Sequence, residues 1–266
     1  MKALSQRRRS PLALLALLVL GLVATGGVYT IAGSVTSANA EAQAVAEGDV
    51  ENGGKLFSAN CATCHGVNAE GTPAGPSLIG VGAASVDFQV GTGRMPMQMQ
   101  GPQAQIKPKQ FSEQQTADLS AYVASLGAGP AIPSDDVLDH SNLTPEEIAD
   151  GGTIFRVNCA MCHNAGASGG ALTRGKYAPT IHGVSEKHIY EAMVTGPQNM
   201  PVFNDTNLPP EQKRQVLGYL KMLENEGNPG GFPLGGLGPV AEGLFIWTGG
   251  LALIISFTIW ITSRRA

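Results

Sequence analysis

All four cysteines of this chain fall in two near-copies of one pattern, GGKLFSANCATCH at 53–65 and GGTIFRVNCAMCH at 151–163. A Cys-x-x-Cys-His run admits three chemistries. A redox disulfide uses the cysteines and has no need of the histidine. A zinc site wants four ligands, and each copy supplies three. Covalent haem attachment uses every residue. Cysteines three apart on a helical turn reach the two vinyl groups, and the adjacent His turns its imidazole to the iron. Cys61, Cys64, Cys159 and Cys162 are therefore the expected attachment points for two covalently bound haem c groups, and His65 and His163 the expected iron ligands. Such haem is attached on the outer side of an energy-transducing membrane, which sets the compartment.

An iron that only carries electrons wants a sixth ligand. The chain has five histidines, at 65, 140, 163, 182 and 188, and residues 52–126 contain none but His65. That first stretch instead holds GRMPM, with Met95, Met97 and Met99 close together; the second copy holds QNMPVF, with Met200. Met-Pro lies 30 residues after His65 and 37 after His163. Thioether sulfur on iron raises the reduction potential relative to a second imidazole. Met95 and Met200 are the expected ligands, with Met97 and Met99 the rivals in the first copy. His182 and His188 read as surface or propionate-side residues. Pro76 in GPSL and Pro179 in APTI follow the haem histidines. Their carbonyls are candidates to accept the second imidazole N–H, and ordinary turns are the alternative.

These residues need elements to hold them. A shift of 98 aligns the two motifs, and eight of 13 positions match. LSAYVASL at 119–126 answers VLGYLKML at 216–223. The middle of the chain is thus two copies of one small all-α domain. Ser112 with Gln115 forms a capping box opening the first closing helix. Leu119, Tyr122, Val123 and Leu126 then share one face. Pro209-Pro210 opens the second closing helix, where Val216, Tyr219, Leu220 and Leu223 repeat the spacing. Short helices at 52–59 and 151–157 lead into the motifs, and their Gly-Gly pairs offer a close crossing. The linker GAGPAIPSDD at 127–136 lacks a helical period, and Asp135, Asp136, Asp139, Glu146 and Glu147 read as its solvated acidic edge. The first copy carries extra residues, QMQGPQAQIKPKQF at 98–111, as a loop able to cover an edge or meet a partner.

The ends differ from this Gly- and Pro-rich middle. Leu12 to Ala32 is free of charge and preceded by Arg7, Arg8 and Arg9, which fits a retained membrane anchor. A cleaved signal peptide ending at Ala38-Asn39-Ala40 is the alternative. Gly243 to Thr262 is again uncharged, with Trp247 and Trp260 towards its ends and Arg264 and Arg265 beyond. The basic flanks put both termini in the cytoplasm and residues from about 40 to 240 outside, a multi-pass plasma-membrane protein. The net charge of −4 over 266 residues leaves no basic footprint for nucleic acid. The expected division is an anchor at 1–40, a first haem domain at 45–127, a linker at 128–143, a second haem domain at 144–227, a linker at 228–242 and a transmembrane helix at 243–262.

Each copy resembles a class I cytochrome c, with CATCHG, GPSL and RMPM in one and CAMCHN, APT and NMPVF in the other. Asn164 departs from the glycine usual after the haem His. The order anchor–haem–haem–anchor resembles the dihaem cytochrome cc subunits of actinobacterial menaquinol–cytochrome c reductases. That resemblance implies an electron-transfer subunit of a proton-translocating enzyme complex. Quinol would be oxidised in a partner cytochrome b subunit. Electrons would arrive from a Rieske iron–sulfur protein and leave for a terminal cytochrome c oxidase. A dihaem subunit of a cbb-type oxidase and an acceptor subunit of a membrane dehydrogenase are the rival readings. The C-terminal span counts against the first of these.

Overall fold

The computed structural model describes residues 15, 17–23, 48–225 and 239–263. The first domain holds α1 (Val50–Asn60), α2 (Ala62–His65), α3 (Ala83–Gly91) and α4 (Glu113–Ser125). The second holds α5 (Asp135–Leu138), α6 (Pro145–Asn158), α7 (Ala160–His163), α8 (Glu186–Thr195) and α9 (Pro210–Asn225). A last helix, α10, spans Pro239–Ser263. The fold is mostly helical rather than purely so. The second domain adds a short antiparallel ribbon of β1 (Gly170–Ala171) and β2 (Tyr177–Ala178), with Gly170 opposite Ala178.

Caps decide where the helices begin. The Ser112–Gln115 capping box opens α4 as expected. A second box, Thr144 with Glu147, opens α6. Its signal lies in TPEE, so α6 begins well before the expected 151. Glu146 and Glu147 therefore sit in the positive first turn of a helix and are not a linker edge. Asp135 and Asp136 likewise start the single turn α5.

The same crossing builds both domains. A Cβ added to Gly53 would lie 2.0 Å from the Asp118 carbonyl oxygen, and one at Gly151 would lie 2.0 Å from that of Gln215. Only glycine lets α1 meet α4, and α6 meet α9, at that distance. Behind each crossing a phenylalanine fills the core. Phe57 packs on Tyr122 with ring centroids 5.2 Å apart, and Phe155 on Tyr219 at 5.7 Å. Both phenylalanines are fully buried, worth roughly 1.5–3 kcal/mol each. Leu119 and Val123 of α4, and Val216 and Leu220 of α9, turn inward as their spacing predicts.

The two domains join side by side through α3 and α8. Sequence periodicity had marked neither helix. α3 has no side-chain N-cap, but the Pro130 carbonyl of the linker accepts the Ala84 N–H at 3.1 Å. α8 carries readable signals, a Ser185 N-cap and a left-handed Gly196 at its end.

In α10, residues 241–263 are long and apolar enough to cross a membrane, with mean hydropathy 2.0, and their apolar side chains face outward. A helix apolar on all faces and packed against none of the other described residues suits lipid. Of the expected anchor at Leu12–Ala32, residues 15 and 17–23 are helical and exposed. The rest of it, the Ala38-Asn39-Ala40 segment, the linker residues 228–238 and Arg264 and Arg265 lie outside the described residues.

Candidate functional site: two haem-binding turns

Each Cys-x-x-Cys-His run turns twice within five residues. α1 ends as the Cys61 N–H bonds the Phe57 carbonyl, and the one-turn α2 then carries Cys64 and His65 to the same side. The second copy does the same, with Cys159 closing α6 on the Phe155 carbonyl. The imidazoles are aimed by backbone. His65 Nδ1 lies 2.7 Å from the Pro76 carbonyl oxygen, and His163 Nδ1 lies 3.0 Å from that of Pro179. In the tautomer where Nδ1 donates, Nε2 keeps its lone pair for a metal. Burial also lowers the His163 pKa, although the Pro179 carbonyl pulls the other way, and the neutral ring is the ligating form. Burial, and then the neighbouring thiol, pushes Cys61 and Cys159 up to about 11 in their free form.

Beside the second motif lies a cavity of about 460 Å³. Cys159, Cys162, His163, Met200, Phe155 and Leu220 line it. Small-molecule sites run roughly 300–1,000 Å³ and are mostly apolar with a few placed polar groups, so the volume and lining suit a flat macrocycle. Met200 packs on the second core, as Cys159 does. Met193 of α8, not singled out in the sequence, lines the same cavity and is 2% exposed. In the first domain Met95 packs on the core cluster with Cys61. Met97 is half-buried, and Met99 is 79% exposed.

The cavity is not the second domain's alone. Phe88, Arg94, Gln103 and Ile106 of the first domain complete its wall. The extra loop at 98–111 accounts for two of them. Gln103 donates to the Tyr177 carbonyl at 2.8 Å and accepts from the Tyr177 N–H at 2.9 Å. Gln198 Oε1 accepts from the Ala104 N–H at 3.2 Å. The loop thus covers an edge of its sister domain. His182 is exposed and bonds the Gly166 carbonyl. Of the two readings of His188, surface or propionate side, the surface one fails, and the residue joins the cavity wall. It is 15% exposed, wedged at the domain junction against Phe88 and Asp87, because α3 closes over α8.

The helical scaffold and its twin haem-binding turns define two cytochrome c domains. A family model for cytochrome c matches residues 50–127, and one for subunit III of cbb3-type cytochrome c oxidase matches 146–220. The chain is 44% identical over 227 residues to the cytochrome bc1 complex cytochrome c subunit of Corynebacterium efficiens, covering 81% of this chain and 77% of that protein. It is 40% identical over 262 residues to the protein of that description from Corynebacterium diphtheriae, covering 93% and 92%. Its Mycobacterium tuberculosis counterpart is 41% identical over 251 residues, covering 93% and 89%. This chain belongs to the family of cytochrome c subunits of the bc1 complex.

Proposed function

We propose that this chain is the dihaem electron relay of a menaquinol-oxidising bc1 complex in the respiratory chain. Two backbone-aimed haem turns on one chain of this family, beside a helix able to cross a membrane, carry the reading. Haem c, when bound, supplies a one-electron iron couple. The chain's own residues do the rest. Cys61 with Cys64, and Cys159 with Cys162, would hold each macrocycle by thioether bonds. Nε2 of His65 and of His163 would ligate iron, while the Pro76 and Pro179 carbonyls fix the ring planes. Met95 and Met200 would supply the remaining ligands and raise the potentials. Phe57, Phe155, Leu119 and Leu220 exclude water. Electrons pass from a Rieske iron–sulfur protein beside a cytochrome b subunit, through both haem domains, to a terminal cytochrome c oxidase. The haem domains stand outside the plasma membrane and both termini in the cytoplasm.

The match of residues 146–220 to a cbb3-type oxidase subunit favours one other reading, a subunit of such an oxidase. Purification by a C-terminal tag from gently solubilised membranes separates the two. A reduced-minus-oxidised spectrum with b- and a-type bands beside the c-type band is expected. Co-purification with cbb-type oxidase subunits, or with a dehydrogenase flavin alone, overturns the proposal.

A further inference from the structure

The domain junction contains a polar cluster at the edge of the cavity beside the second motif, whose wall His188 also joins. Asp87 of α3 faces His188 and Glu191 of α8. One ligand atom from each lies within 4.8 Å of the others. His188 Nε2 stands 3.6 Å from Asp87 Oδ2 and 3.9 Å from Glu191 Oε2, both beyond hydrogen bonding. The Glu191 side chain is fully buried, and neither of its oxygens meets a hydrogen-bond donor among the described residues. A buried carboxylate with no donor is costly unless a proton or a cation neutralises it. His188 is oriented from behind, its Nδ1 3.0 Å from the Ser185 hydroxyl. With the Nδ1–H donated there, the Nε2 lone pair points at the two carboxylates. Lys187 approaches from the rim, its Nζ 2.7 Å from Asp87 Oδ2, and its side chain is 34% exposed and able to swing out.

We propose that Asp87, His188 and Glu191, with a water as the fourth ligand, form a divalent transition-metal site, suited to Zn²⁺, that clips the two haem domains together. Tetrahedral ligand atoms at zinc bond lengths stand roughly 3.4 Å apart, so small rotations of these side chains close the site. Two carboxylates and a neutral imidazole balance a doubly charged ion, and a nitrogen–oxygen set of this kind selects zinc over calcium or magnesium. Because one ligand comes from the first domain and two from the second, occupancy resists separation of the domains.

The test uses the haem-loaded full-length protein in detergent, in which the motif cysteines and histidines are already engaged. The protein is stripped with chelator, equilibrated with micromolar Zn²⁺, desalted, and assayed for zinc against iron by mass spectrometry. One zinc per two irons is expected for the wild type. Asp87→Asn, His188→Gln and Glu191→Gln each weaken retention at least tenfold with haem content and helicity unchanged. Lys187→Gln removes the competing ammonium and tightens retention several-fold. His182→Gln, at an exposed histidine, changes nothing. Equal zinc in the wild type and the His188 variant, or no retained zinc in either the wild type or the Lys187 variant, overturns the site.

Discussion

The two haem domains share a scaffold and differ in their surroundings. The glycine crossing, the Phe–Tyr pair and the proline-aimed imidazole recur in both. The turn after the histidine does not. In the first domain Gly66 takes φ 85° and ψ 154°, and the Glu70 carboxylate fills the space where a Cβ would sit, 2.4 Å away. In the second, Asn164 takes φ 68° and ψ 157°, a region almost reserved for glycine, and Ser168 stands where Glu70 stood. The Asn164 side chain accepts the Ala165 N–H at 2.7 Å, a local bond that offsets part of the strain. The first domain also sends its insert onto the second and receives no such cover in return. The repeat preserves what holds a haem, and divergence has gone into what each domain meets.

The sharpest way to break this symmetry is to remove one attachment site. Replacing Cys159 and Cys162 by alanine halves the haem-to-protein ratio in a pyridine haemochrome assay and leaves the first domain loaded. A Met200→His variant lowers only one of the two midpoint potentials, by a fraction of the roughly 0.8 V that axial ligands span. Met95→His lowers the other. Redox titration reads both, and Met99→Leu and Met193→Leu shift neither. Gly53→Val and Gly151→Val each drive a side chain into a carbonyl, and each costs about 3 kcal/mol in denaturant unfolding. Equal losses confirm that the crossings are equivalent. Gln103→Ala removes two hydrogen bonds that a first-domain residue makes to the second. It costs about 1–2 kcal/mol and speeds hydrogen exchange at Tyr177 rather than at its own loop. The smallest effect tests the turn. Asn164→Gly stabilises the second domain by about 1 kcal/mol, while Gly66→Asn destabilises the first, because Glu70 blocks it.

Much of the motif's local geometry was legible in the chain because it lies within a few turns. A motif of five residues, a capping box and a helix face are written within one or two turns. The glycine pairs announced a crossing, and the prolines offered carbonyls that the fold places at 2.7 and 3.0 Å. The domain junction was not legible. Asp87 and His188 stand 101 residues apart, and neither α3 nor α8 has a periodicity that names its partner. Lys213 is another case. Its position in the polar-looking PPEQKRQ reads as solvated, yet the side chain is fully buried, held by Asp205 at 2.6 Å and the Leu208 carbonyl at 2.7 Å. Met193 escaped because no proline follows it, although the helix turns it into the cavity. Contacts between surfaces leave no repeat along the chain, so only the folded arrangement discloses them.

The short connection to α10 sets a search volume. Thirteen residues, 226–238, separate α9 from that helix. Their covalent reach is at most roughly 50 Å. The second haem domain therefore stands within that distance of the helix able to cross a membrane. Any acceptor embedded within that reach meets it at an effective concentration on the order of millimolar. Tethering of that kind makes an encounter depend on geometry more than on copy number.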